Sequence, residues 1–268
     1  MRDRTGLHVV EAGEGIPVVL LHGLTATHRY VVMGSRALER SGHRVIAYDA
    51  RGHGRSAPAP DRSAYDYADL AADLAALLDE RGIARAVLAG ASMGAHTALR
   101  LALEQPERVG GLVVITPAYD PAELDDPARL ARWDALAAGL RDGGVEGFVA
   151  AYGEPGVPER YRDTVVTVLR QRLSAHEHPE AVADALEVVP RSRPFADIAA
   201  LSAIAAPTVV VADRDEADPG HPLAVGEAYA ATIPGARLVV EDEGRSPIAW
   251  QGGQLSKVIA GLAAEAAR

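Results

Sequence analysis

Apolar residues along this chain fall into short unbroken runs, separated by stretches with helical spacing. Ile16–Leu21 is the first such run, and it stops at His22-Gly23. A run without polar alternation suits a strand covered on both faces, as in a parallel sheet. Residues 43–48 repeat the pattern and end at Asp49. Across residues 67–81, Leu70, Leu74, Leu77 and Leu78 recur on one helical face, and Gly82 supplies a stop. Residues 86–89 then predict a short strand, 90–94 a tight turn, 95–104 a helix ending near Pro106, and 111–115 another strand. Strand and helix alternate over short connections, the pattern of an open, mostly parallel sheet with helices on both faces.

From about Asp120 to Ala200 the rhythm changes. Residues 127–140, 158–173 and 179–188 predict helices with no clear strand among them. Strands return at 208–212 and 237–240, with helices at 223–231 and 255–267. The middle segment, residues 119–200, therefore predicts a helical cap inserted into a sheet unit formed by residues 1–118 and 201–268. A row of ordinary crossover helices is the alternative. Gly13-Glu14-Gly15 reads as a hairpin turn.

Composition narrows the chemistry. A chain of 268 residues can bury one large core. Its net charge of −10 speaks against a nucleic-acid partner, which needs a basic face, and more weakly against anionic membrane surfaces. The absence of cysteine excludes disulfides and thiolate catalysis. No apolar run has the length of a bilayer span, and the first residues carry no apolar segment before a small-residue cleavage site. A cytoplasmic protein acting on a small molecule is the expectation. Nothing has the spacing of a phosphate-binding glycine loop, a dinucleotide fingerprint or a zinc-ligand set, so neither cofactor nor metal is expected.

Gly90-Ala91-Ser92-Met93-Gly94 fits the G-x-S-x-G pattern, with a predicted strand before it and a helix after it. Flanking glycines let the backbone bend sharply there, which lifts the Ser92 hydroxyl above the sheet at a helix N-terminus. A serine that merely caps the helix is the plainer reading. His22-Gly23-Leu24 follows the first buried strand, and Tyr48-Asp49-Ala50-Arg51-Gly52-His53-Gly54-Arg55-Ser56 follows the second. Taken together these three segments resemble the α/β-hydrolase superfamily, in its capped serine-hydrolase form. The resemblance implies an α/β-hydrolase fold, Ser92 as nucleophile, and the backbone amides of Leu24 and Met93 as an oxyanion hole. It places the acid on Asp215, after the strand at 208–212, with Asp213 and Asp218 close by and Asp120 as an alternative site.

One departure is informative. The family's base is a histidine in the loop after the last strand, and Arg245 stands there. No histidine follows His221. A guanidinium stays protonated and cannot act as the base. Three readings stay open. In the first, another histidine serves, with His221 the leading candidate, although its flanking turn residues also fit a surface loop. His96, one turn beyond Ser92, packs beneath the corner on this reading. His22 and His53 brace loops, while His176 and His178 in the middle segment reach over the site or face solvent. In the second, the scaffold binds a ligand without hydrolysing it. In the third, Arg245 holds a substrate anion and the chemistry needs no imidazole. The leading expectation is hydrolysis of a small ester, thioester or lactone-type acyl substrate.

Overall fold

Seven strands form one sheet in the computed structural model, which describes residues 6–216, 218–242 and 250–267. The strands are β1 His8–Ala12, β2 Ile16–Leu21, β3 His43–Asp49, β4 Ala86–Ala91, β5 Val109–Ile115, β6 Thr208–Ala212 and β7 Arg237–Val240. The helices are α1 Ala37–Arg40, α2 Tyr67–Glu80, α3 Met93–Glu104, α4 Pro127–Tyr152, α5 Glu159–Leu173, α6 Pro179–Val188, α7 Leu223–Thr232 and α8 Gly252–Ala266. Strand order is β1-β3-β2-β4-β5-β6-β7. All neighbours run parallel except β1, which is antiparallel to β3.

The hairpin expected at Gly13–Gly15 is not formed. β1 bypasses β2 and pairs with β3, placing Val9 opposite Tyr48. Both edges of β2 are already taken by β3 and β4. The half-exposed β1 is left to the outer edge of the sheet.

The unbroken apolar runs are explained by burial on two sides. Val18, Leu20, Val45 and Ala47 face Leu38 of α1 and Leu255, Ile259 and Leu262 of α8. Val19, Leu21, Ile46 and Tyr48 face the other way, toward Leu74 and Leu78 of α2, Leu99 of α3 and Tyr229 of α7. Each central residue is thus covered whichever way its side chain points, and β5 is buried along its whole length.

Between β5 and β6 the chain leaves the sheet for a helical excursion containing α4, α5 and α6, with no strand among its described residues. α4 runs beyond the expected end at Leu140 because Gly144, at φ 60°, bends it instead of stopping it. The Arg141 guanidinium joins α4 to α6 through Asp184 and Glu187. Leu140 and Phe148 of α4, Leu169 and Leu173 of α5 and Leu186 of α6 build an apolar cluster that also takes in Leu24 and Met93. The excursion is pinned to the sheet unit by its α5–α6 turn. There Glu177 N–H donates to the Gly54 carbonyl at 2.7 Å, and Gly54 N–H donates to His176 Nδ1 at 2.8 Å. Among the described residues no helix is long and apolar enough to cross a membrane.

Candidate active site

β4 ends at Ala91 and α3 begins at Met93, so the whole reversal falls on Ser92, at φ 49° and ψ −113°. A residue with a Cβ adopts this conformation only under constraint. The constraint is visible. Ser92 N–H donates to the Ile115 carbonyl at 2.9 Å, and the Ser92 carbonyl accepts from His96 N–H at 3.1 Å. A Cβ on Gly90 would overlap the Gly94 backbone, and one on Gly94 would overlap the Leu21 carbonyl, so the strand and helix close to this distance only without side chains. Ser92 is half-buried and its side chain makes no cap to the helix, which removes the plain capping reading.

Gly23 lies against the corner: a Cβ built on it would stand 3.5 Å from Ser92 Cβ. Leu24 follows Gly23 and Met93 follows Ser92 in the chain, and among the described residues neither backbone N–H has a backbone partner. Three histidines hold the first segment. His22 Nε2 accepts from Ala50 N–H at 2.8 Å, which leaves Nδ1 to donate to the Gly23 carbonyl at 2.8 Å. Burial, with the charge of His53 adding to it, drives the His22 pKa down to about 3, so the ring is neutral. The His53 ring nitrogens lie 2.7 Å from the Leu24 carbonyl and 2.9 Å from that of Arg51. His176 reaches from the excursion, its Nε2 3.3 Å from the Thr25 carbonyl.

His96 is not available as a base. Its Nε2 accepts from Ala118 N–H and Tyr119 N–H at 3.3 and 3.2 Å, and its Nδ1 meets the Tyr67 hydroxyl at 3.0 Å. Burial holds its pKa near 3, with the charge of His221 a further cause.

The loop after β6 carries three carboxylates with different surroundings. Asp215 is exposed, and its carboxylate accepts the Leu223 N–H that opens α7, at 2.7 Å. Asp218 accepts from His221 Nδ1 at 2.7 Å, brought there by the Pro219-Gly220 turn. Burial opposes a charged His221 ring, but the charge and hydrogen bond of Asp218 outweigh it and raise the pKa above its ordinary value. Asp213, at the end of β6, is buried beside Asp218 and Glu241, and its Oδ1 has no hydrogen-bond partner among the described residues. Desolvation first, then those two carboxylates, push its pKa up to about 7. Asp120 caps a short turn through Ala122 N–H and takes no part in this group.

Of the residues singled out from sequence, Ser92, Leu24 and Met93 are brought together, and His221 is joined to Asp218 rather than to Asp215. Arg245 lies outside the described residues. Sequence reasoning did not find Arg172 of α5, whose Nε is buried without a hydrogen-bond partner among the described residues. Its signal was its place between Leu169 and Leu173 on an apolar helix face. Among the described residues one cluster has the donor types of a metal site: His8, His28 and Asp49 offer ligand atoms within 4.8 Å of one another. Its central carboxylate is already satisfied, by the backbone and ring of His28 at 2.8 Å each and by Arg55 N–H at 3.1 Å.

Residues 16–251 match the family model described as the alpha/beta hydrolase fold. A 2-hydroxy-6-oxononadienedioate/2-hydroxy-6-oxononatrienedioate hydrolase of Pseudomonas putida is 32% identical over 244 residues, covering 87% of this chain and 82% of that one. A thermophilic esterase from Thermogutta terrifontis, solved with malate bound, superposes with a TM-score of 0.79 at 30% identity, covering 97% of this chain and 93% of the other. An N-acyl homoserine lactone degrading enzyme, Est816, gives a TM-score of 0.70 at 28% identity, over 94% of this chain and 92% of its own.

Proposed function

The chain belongs to the α/β-hydrolase family, and from that premise we propose that it is a serine hydrolase of small ester, thioester or lactone-type acyl compounds. Ser92 is the nucleophile, His221 its general base, and Asp218 the carboxylate that orients the imidazole. The observation that carries this reading is the corner itself: a serine held at φ 49° by close packing, beside two backbone amides without backbone partners. The excursion over Leu24 and Met93 acts as the cap. Relatives named for ester and lactone substrates support the acyl class.

The chemistry follows from the hydrogen bonding. With Nδ1–H given to Asp218, His221 keeps Nε2 as the lone-pair nitrogen that takes the Ser92 hydroxyl proton during attack. Negative charge then develops on the substrate carbonyl oxygen. The Leu24 and Met93 N–H groups and the N-terminus of α3 stabilise it, each preorganised donor being worth about 3 kcal/mol in a dry site. Protonated His221 returns its proton to the leaving oxygen, nitrogen or sulfur, and water later repeats the sequence on the acyl-enzyme. Asp215, the acid expected by resemblance, is exposed and caps α7, so the orienting role falls to Asp218. Because Arg245 occupies the place of the family's histidine and cannot accept a proton, the base must come from elsewhere in the chain. The same substitution favours the second reading, ligand binding without turnover.

A pH–rate profile with p-nitrophenyl acetate tests the assignment. The base works as neutral imidazole, and Asp218 raises its pKa, so kcat/KM should climb through a midpoint above 6.5, the ordinary histidine value. Asp218→Asn should move that limb to lower pH and lower the plateau. His221→Asn should lose on the order of 10⁶-fold in kcat, leaving only what binding and the oxyanion donors supply. An undiminished rate in His221→Asn would remove His221 from the mechanism.

A further inference from the structure

α5 turns one face toward the site. Leu169 and Leu173 on that face join the apolar cluster that contains Leu24 and Met93. Arg172, three residues after the first and one before the second, lies between them. Its guanidinium carbon stands 5.4 Å from the centre of the Tyr30 ring, at the end of the segment that begins with Leu24. The group thus sits where α5 meets the segment after β2, and its charge acts on Asp218 and His221 of the loop after β6.

Arg172 has no salt bridge among the described residues, and its Nε is sealed from solvent without any acceptor. The neighbouring arginines of the excursion differ in ion pairing, although the Arg141 Nε is likewise buried without a hydrogen-bond partner among the described residues. Arg170 grips Glu146 with two nitrogens at 2.7 and 2.8 Å, and Arg141 holds both Asp184 and Glu187. The chain carries 37 acidic residues against 27 basic ones, so partners are not scarce. Asp218, the acid whose charge acts on Arg172, is committed to His221. A half-buried cation with an aromatic face beside it but no anionic partner among the described residues is poorly compensated, and its planar fork of donors is shaped for a carboxylate.

We propose that Arg172 anchors a carboxylate of the substrate, making the preferred substrate a short acyl compound with an anionic end, such as the hemiester of a dicarboxylic acid. The assignment rests on Ser92 being the nucleophile. The anion enters beneath the cap and forks onto Arg172, above the Tyr30 ring, while its ester carbonyl lies at Ser92. The charge of Asp218, which acts on Arg172, repels a doubly charged phosphate more than a singly charged carboxylate, which favours the latter.

Monomethyl succinate, glutarate and adipate, each compared with the neutral methyl ester of the same chain length, provide the test by pH-stat. At least one hemiester should exceed its neutral counterpart tenfold or more in kcat/KM. In Arg172→Gln and Arg172→Met that ratio should fall at least tenfold, mainly through KM, with Arg172→Lys recovering part of it. Binding is read separately by calorimetry, titrating succinate, glutarate and adipate into Ser92→Ala and into Ser92→Ala/Arg172→Met. Binding in the first and none in the second supports the anchor even where no ester is hydrolysed, an outcome that would instead defeat Ser92 as nucleophile. Hydrolysis without hemiester preference, together with no binding or with binding indifferent to Arg172, overturns the anchor and leaves the nucleophile standing. Circular dichroism of both variants checks folding, and the unpaired cation predicts that Arg172→Met melts no lower than the parent chain.

Discussion

The angles at Ser92 are held by its neighbours rather than by its own preference. A non-glycine residue in this conformation costs on the order of 1–3 kcal/mol. The cost is sustained because β4, β5 and α3 meet there with Gly90 and Gly94 as the only fillers that fit. Gly94→Ala should therefore destabilise the protein by roughly 3 kcal/mol or more, read as a lowered urea midpoint, because the new methyl would press on the Leu21 carbonyl. A loss below 1 kcal/mol would mean that the corner has slack. This motif was legible in the sequence because its constraint is local: two glycines, a serine, a strand before and a helix after. Choosing among Asp213, Asp215 and Asp218 was not possible locally. The three are chemically alike and a few residues apart, and only the tertiary fold buries one, exposes another and sets the third against His221.

At the scale of elements, β6 delivers Asp213 into a buried position with a bare Oδ1, next to Asp218 and Glu241. The folded chain keeps this carboxyl protonated up to about pH 7, whereas the unfolded chain releases the proton near 3.8. The folded state thus binds more protons between these values, so this residue's contribution to stability falls as pH rises from about 4 to 7. Asp213→Asn should stabilise the protein at pH 8 relative to pH 5 by roughly 2 kcal/mol, compared with the unsubstituted chain in chemical denaturation. An equal effect at both pH values would show that Asp213 is ionised throughout. The central strands were legible because double-sided burial writes itself as unbroken apolar runs. β1 was not, since it lies at the edge with mixed burial, and its pairing with β3 depends on edges that β2 no longer has free.

For the whole molecule, histidines dominate the response to acid. His22 and His96 have pKa values near 3, and that of His176 is about 4, each lowered first by burial. Unfolded, the same rings take up protons below 6.5. Between pH 6.5 and 4 the unfolded state therefore binds more protons at these sites, and stability is lost as pH falls. Asp213, Glu241 and His221, whose pKa values are raised, act in the opposite sense, while His8 and His53, lowered by burial, add to the three. Unfolding free energy should drop by about 3 kcal/mol from pH 6.5 to pH 5. A flat or rising curve would mean that these rings open to solvent before the fold does. His176 and His22 join the excursion and the β2 loop to the sheet unit, so acid should loosen the excursion's attachment as well as the core. That role was hidden in the sequence, because His176 and Gly54 are 122 positions apart.

The central claim is that the hydroxyl at the β4–α3 corner is an activated nucleophile. Mass spectrometry of the intact protein after exposure to a fluorophosphonate measures this directly. The account predicts a single stoichiometric adduct that maps to Ser92, is absent in Ser92→Ala, and forms far more slowly in His221→Asn. No adduct at millimolar reagent, or an adduct that persists in Ser92→Ala, would contradict it.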